Sequence, residues 1–520
     1  MDPQHYSSFT TRRKFIRQAA CAALGTAALT NTLRDLRFIN AAMAQTAITD
    51  YKALVCIFLN GGNDSNNLFI PIDPSEYASY AAIRTPSLAI PNADGSNATA
   101  LALNSQNSDG HSYGLHPACP ELRAMFNGAP LPVNGTPNTG KLAALFNTGT
   151  LVYPMTKAQY NSGAIAKPSQ LFSHSDQTTQ WQTSIPDRPP STGWGGRCAD
   201  LLDTVNPRNG NAAVLSLAIS LAGANTFEVG GVVQQYSVGT GGVVSLSTYS
   251  PAATPRQSAF NSILGIDEMQ SNMLLQNYAL ALDHSIATGS SLSTSLGNSP
   301  LLSYFNNAAT FPNITVPNGG PTFGSSLMAQ LKMVARIIDA GYHSLGMKRQ
   351  IFFCQVGGYD THTAQTSNAG SSSVDNSKVI LGSQANLLAE LSQSLNCFQC
   401  AMNKIGSQYG DPDFEKRVTA FTNSDFGRTF PSNLLGSDHG WGSHHLVVGG
   451  AVNGGKTYGK WPTLAVGGPD DTSTGRWIPT TSVDQFAATL AKWFGVDDTK
   501  MSTVFPNLNR FAAPNLGFMS

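Results

Sequence analysis

Charge is scarce in this chain. Only 12% of its 520 residues are Asp, Glu, Lys or Arg, against roughly 25% in an average globular protein. The formal net charge is zero, a balance that gives no hint of a basic face, and nucleic acid is not expected as a partner. Long apolar runs are missing as well. Beyond residue 44 nothing approaches the ~20 apolar residues that cross a bilayer, so no integral membrane contact is expected after processing. Cysteine is sparse: seven residues, with a single C-x-x-C at Cys397 and Cys400 inside a helical pattern. Without a second pair or a preceding strand, that spacing supports neither a zinc ribbon nor a thioredoxin-like site. No haem C-x-x-C-H and no iron–sulfur spacing occurs, so a redox protein finds no support.

What the chain has is glycine, proline and neutral polar residues: 49 Gly and 29 Pro beside 41% hydrophobic residues. The composition is that of a loop-rich protein with a large core. Its few charges are unevenly placed, with six Lys and Arg against two acids in residues 1–44. There Arg12 and Arg13 precede Lys14-Phe15 and the apolar "AACAALGTAAL", and Ala42-Met43-Ala44 stands just before Gln45. This reads as a twin-arginine export signal, residues 1–44, cleaved on maturation. The expected location is periplasmic or extracellular, with the twin-arginine export machinery as a partner during secretion.

The remainder, 45–520, reads as a single α/β domain. Short apolar runs such as Ala53–Leu59 and Ile351–Val356 alternate with helical patterns. That alternation predicts a predominantly parallel central sheet with helices on both faces. A Val/Ser/Gly-rich stretch near 211–250 reads as a small β-rich insertion, and 289–324 as a loop-rich connector. In such sheets the chemistry gathers at the C-terminal ends of strands. Three of those ends carry acids. The first run ends in Asn60-Gly61-Gly62-Asn63-Asp64, the second in Gly357-Gly358 with Asp360 and His362, and "RVTAFT" leads into Asp425.

The densest stretch is Ser424–Gly455, which holds Asp425, Asp438, His439, His444 and His445. Carboxylates and neutral imidazoles together suit a divalent metal, zinc first, with manganese, magnesium, calcium or iron as alternatives. Arg428 is placed either to clamp a tetrahedral anion through its planar fork or to form an ordinary ion pair with Asp425 or Asp438. Farther upstream, Ser173, His174, Ser175 and Asp176 precede a Gln-rich helical stretch. A hydroxyl there caps the helix, or serves as a nucleophile beside free N–H groups.

The motifs "FLNGGND", "GLHP", "LFSHSDQ", "GGYDTH", "DFGRT" and "DHGWGSHHLVVGGAVNGG" together resemble the bacterial family catalogued as domain of unknown function 1501. The resemblance spans essentially the whole mature chain. That family is in turn similar to the alkaline phosphatase/sulfatase superfamily. The resemblance implies an alkaline phosphatase-like fold with metals at strand C-termini. It carries a metal Asp to Asp64, an Asp/His pair to Asp360 and His362, a later Asp to Asp425, and the last metal His to His445 or His444. It makes Ser173 the best match for a helix-start nucleophile, with Ser175 a rival and His174 a ligand or acid/base. His116, Asp438 and His439 are expected to orient the ligands. No C-x-P-x-R signature of a formylglycine sulfatase occurs.

The implied activity is hydrolysis of phosphate or sulfate esters, small or polymeric, by an exported metal-dependent enzyme. The alternative is a metal-binding periplasmic or surface protein without turnover that binds an anion, glycan or partner.

Overall fold

The segment Lys52–Leu59 (β1) is apolar at every position after its first, and each of those side chains is buried. Continuous burial of this kind needs cover on both faces of the strand, and the helices packed on either side of the sheet supply it. The structure, a computed structural model, describes residues 48–107, 109–129, 141–209, 212–244, 254–268 and 272–520. The paired arginines and the Ala42-Met43-Ala44 site lie outside the described residues, as does part of the stretch 211–250.

Numbering only the strands of the main sheet, those after β1 are β2 (Leu142–Gly149), β3 (Ala218–Ser220), β4 (Tyr236–Ser237), β5 (Arg349–Val356), β6 (Val418–Ser424), β7 (Ser443–Gly449), β8 (Lys456–Gly459) and β9 (Thr481–Ser482). Their order is β8-β2-β7-β6-β1-β5-β3-β4, with β9 also pairing β2. Every pairing is parallel except those of β7, which runs antiparallel to both β6 and β2. The expected α/β class with a mostly parallel sheet is therefore observed. Small antiparallel sheets lie outside it, such as Phe69–Pro71 with Tyr113–Leu115.

Successive residues of β1 point to opposite faces. One face, with Ala53, Val55, Ile57 and Leu59, belongs to the core formed with helices α3 (Ser326–Asp339) and α4 (Ser383–Tyr409). The other face carries an aromatic layer. There Phe58 lies against Phe353, and Phe421 lies between Trp194 of α2 (Trp194–Leu202) and Phe486 of α5 (Val483–Phe494). Helix α1 (His174–Thr183) precedes α2 in the chain. Hydroxyl caps start α3 and α5: Ser325 accepts from the Met328 N–H, and Ser482 forms a reciprocal box with Gln485.

Two stretches differ from the sequence reading. The part of 211–250 that is described supplies β3 and β4, which extend the main sheet at one edge instead of standing apart from it. The connector near 289–324 begins as helix, the end of Met273–Gly297. Leu292 and Leu296, one turn apart, are buried there and hold a Ser-rich segment in helical form. Among the described residues, no helix is long and apolar enough to cross a membrane.

Candidate metal centre

The parallel register places three strand ends side by side. Leu59 of β1 pairs with Val356 of β5 and with Ser424 of β6. The next residues of each strand therefore leave the sheet at one edge, and the loops they open must share that space. Gly61 and Gly62 make the sharing possible. Both have positive φ, 119° and 86°. A Cβ on Gly61 would stand 2.4 Å from the Asp360 nitrogen, and one on Gly62 would stand 2.6 Å from the Phe426 ring.

The role of this turn lies in its backbone. The N–H groups of Gly61 and Gly62 each donate to Asp425 Oδ1 at 2.9 Å. The other oxygen, Oδ2, accepts from His174 Nδ1 at 2.5 Å. Asp425 is fully buried, and these donors occupy its carboxylate. It is an orienting group for His174, where the sequence reading had it as a metal ligand. The hydrogen bond to Asp425 raises the His174 pKa, against the opposing effect of burial.

The same arrangement recurs at two more imidazoles. His362 Nδ1 lies 2.9 Å from Asp438 Oδ1, which is itself held by Asn433 Nδ2 at 3.0 Å. His439 Nδ1 lies 2.8 Å from the carbonyl oxygen of Phe172. A carboxylate or carbonyl can only accept, so each Nδ1 carries the proton and each Nε2 is left with a lone pair. Those Nε2 atoms converge on Asp360. They lie 3.6 Å (His174), 3.2 Å (His362) and 3.4 Å (His439) from its carboxylate oxygens. The Nε2 atoms of His362 and His439 are 2.9 Å apart. Two lone pairs at that distance repel unless a cation or an added proton stands between them. Burial lowers the His439 pKa, which favours its neutral, ligand-ready form. The ligand atoms of His174, Asp360 and His439 all lie within 4.8 Å of one another. The donor set fits a divalent cation: three nitrogens and a carboxylate, each imidazole backed by an acceptor.

Asp360 is held by Arg428, whose Nη1 donates to Oδ1 at 2.7 Å. Burial works to raise the Asp360 pKa, but the Arg428 bond and charge, with His362 and His174, outweigh it and hold the carboxyl below its ordinary value. Arg428 is buried, and it also donates to the carbonyls of Gly61 and Ser437. Its hydrogen-bonding edge is committed to protein, which corrects the expectation that it clamps an anion. Phe426 packs under the centre, its ring centroid 4.8 Å from that of His174 and 4.7 Å from that of His439.

Four other expected residues stand elsewhere. Asp64, expected as a metal ligand, is buried in an ion pair with Arg84 and also accepts from Gln365 and the Asn66 N–H. Those donors satisfy it without a metal. His444 and His445 are both buried within β7. The His444 ring packs on Phe146 and Trp461 at 5.0 and 4.9 Å, and its Nδ1 accepts from the Asn147 N–H. The His445 ring packs against Trp181 at 4.7 Å. Among the described residues no carboxylate backs either ring, and both pack as core residues away from the centre. His116 is buried too, and its Nδ1 accepts from the Ala118 N–H, a local turn that orients no ligand. Conversely His439, expected only to orient others, stands among the ligand atoms.

Ser173 precedes α1 but does not cap it with its side chain. Its hydroxyl donates to Asp176 Oδ2 at 2.6 Å, with Ser175 Oγ at 3.2 Å. Asp176 was named in the sequence only as a member of that cluster, with no role, and Phe172 and Arg476 were not singled out. The Phe172 carbonyl and the Arg476 side chain act through contacts that leave no local pattern. The location of His439 was legible in principle, because it lies on the loop at the active edge, before β7 begins.

No curated protein matches the chain. Among solved structures, a mutant of the alkaline phosphatase PafA is similar at 13% identity with a TM-score of 0.23, over 74% of this chain. The chain spans 64% of that protein's length, and a likeness of this size bears no weight on fold or function. Residues 414–510, which include Asp425, Arg428, Asp438 and His439, match the family model described as "Protein of unknown function (DUF1501)", so the resemblance carried by the sequence motifs is borne out over that stretch.

Proposed function

We propose that this protein is an exported, metal-dependent hydrolase of phosphate or sulfate esters, with zinc the first choice of metal. One observation carries the reading: three Nε2 lone pairs and the Asp360 carboxylate converge, while every Nδ1 is spent on an acceptor. His174, His362, His439 and Asp360 would hold the ion. When bound, it supplies Lewis acidity toward an ester oxygen. Asp425, Asp438 and the Phe172 carbonyl fix the tautomers and ring orientations. Ser173, next to the ligand His174, is the nucleophile in this reading. Its proton already lies on a hydrogen bond to Asp176, which takes it as Oγ attacks phosphorus or sulfur and returns it to the ester oxygen that leaves as the alcohol. Water then cleaves the resulting serine ester.

The alternative, metal binding without turnover, is favoured by a different observation. Arg428 is committed to Asp360 and to two carbonyls, so the cation expected to meet the substrate is otherwise engaged. Metal content of the purified mature protein, measured beside turnover of an aryl phosphate and an aryl sulfate, separates the two. About one bound ion per chain, with turnover lost in Ser173→Ala, is the expected result. Metal without turnover on either ester would favour the binding protein. A wild type with no stoichiometric metal sinks the hydrolase.

Export by the twin-arginine route, to the periplasm or beyond, is part of the same proposal. It is supported by Arg12 and Arg13 ahead of the apolar stretch and by Ala42-Met43-Ala44.

A further inference from the structure

We propose that Arg476 is the anion-binding residue of this site, gripping a non-bridging oxygen of a phosphate or sulfate ester beside the metal position. The proposal deepens the hydrolase reading and rests on it for the placement of the reacting ester.

Arg476 is tied to the centre in two ways. Its Nε donates to the carbonyl of His439 at 2.8 Å. Its guanidinium lies over the Phe172 ring, 4.1 Å from the centroid, a cation–π stack. Phe172 in turn accepts from His439 Nδ1 through its own carbonyl. His439, Phe172 and Arg476 thus close a ring of three contacts around one metal-facing imidazole. The backbone is held as firmly. The N–H of Arg476 donates to Asp471 Oδ1 at 2.9 Å, and Asp471 is fully buried.

These contacts use one edge atom and one face of the guanidinium. The two terminal nitrogens have no acceptor among the described residues, and no carboxylate pairs with the charge. The residue is half-buried, so that edge meets solvent. Its planar pair of donors matches two oxygens of a tetrahedral oxyanion. Arg428 shows the contrast, because its terminal nitrogens end on Asp360, Gly61 and Ser437. The anion-binding role first expected of Arg428 therefore falls to Arg476. A neutral carboxylic ester offers no such oxygens, so the preferred substrate carries negative charge on the reacting group.

The test uses the full mature chain, metal-loaded and metal-stripped, with inorganic phosphate as probe in titration calorimetry. Arg476→Gln should weaken phosphate binding roughly 10–100-fold, the scale of lost hydrogen bonds to a charged group, at unchanged metal content. Arg476→Lys keeps the charge without the fork and should fall between. Phosphate binding by Arg476→Gln within about twofold of wild type, at equal metal content, would overturn the proposal. Should Arg476→Gln lose metal or unfold, Arg476→Lys decides, and undiminished binding in that variant overturns the proposal as well. Wild type that binds metal but no phosphate also overturns it, while leaving the metal reading intact. The converse is equally distinct. A metal-free wild type whose phosphate binding still depends on Arg476 upholds the anion site and removes the hydrolase.

Discussion

His439 and His445 are separated by a few residues and live in opposite surroundings. His439 is partly exposed on the loop that leaves β6. Its Nδ1 is tied to the Phe172 carbonyl, and its Nε2 faces His362 and Asp360. His445 is buried in β7 against Trp181 and Phe486, and neither ring nitrogen has a partner among the described residues. Burial pushes its pKa down to about 3, as it does for His444 and His116. The same side chain presents its Nε2 to other potential ligand atoms in one place and is core packing in the other. What separates them is the acceptor behind Nδ1. It fixes which nitrogen keeps a lone pair and in which direction that lone pair points.

The comparison breaks most directly in metal content. His439→Ala or Asp360→Ala is expected to abolish stoichiometric metal, and His445→Ala to keep it while lowering stability. Metal analysis beside a melting curve reads both, and a metal-free but well-folded His445→Ala would reverse the assignment. The acids divide in the same way. Asp64 is paired with Arg84 in the interior, so Arg84→Met leaves a buried charge alone and should cost about 3–5 kcal/mol in denaturant unfolding. Unchanged stability would mean that Asp64 has some other cation to lean on.

A finer test removes a backing acceptor and leaves the ligand in place. Asp438→Ala should weaken metal affinity by about 10–100-fold, because His362 loses the acceptor that fixes its tautomer. Equal affinity in a competition titration would detach Asp438 from the centre. The last test concerns acid. His116, His444 and His445 are neutral when folded down to about pH 3 but protonate near pH 6.5 when unfolded. Between those values the unfolded chain binds more protons, so stability is full above the higher value and falls as pH drops toward the lower. Each residue adds about 1.4 kcal/mol per pH unit across that window. His444→Phe should flatten the stability–pH curve by one such share, whatever it does to the absolute stability. A curve of unchanged slope would show that His444 is not held neutral.

The scaffold was far easier to read from sequence than the centre. Apolar runs such as Ala53–Leu59 and Ile351–Val356 show their burial directly, and the acids that follow them mark the working edge of the sheet. Asp360 and His362 were found on that basis. The division of labour was not legible, because it depends on partners distant in sequence. Asp425 looks like a ligand until the N–H groups of Gly61 and Gly62 and the ring of His174 are seen to use its oxygens. His444 and His445 read as ligands because they crowd with Asp425, Asp438 and His439 in one short stretch. In fact β7 begins at Ser443, and burial on both faces leaves no alternating pattern to show it. Arg476 and Phe172 gave no signal at all, since a backbone carbonyl and a stacked ring have no local signature.

The grip on Asp425 comes from peptide N–H groups at Gly61 and Gly62, and peptide groups are the same whatever the side chain. Most changes of amino acid leave such donors in place. At these two positions the escape is closed from the other side, since any added Cβ collides with the Asp360 backbone or the Phe426 ring. Random variation can therefore edit the rim of this site freely but can reach its foundation only through steric damage. A mutational scan should find this turn intolerant at both glycines, while surface positions on the neighbouring loops accept most residues.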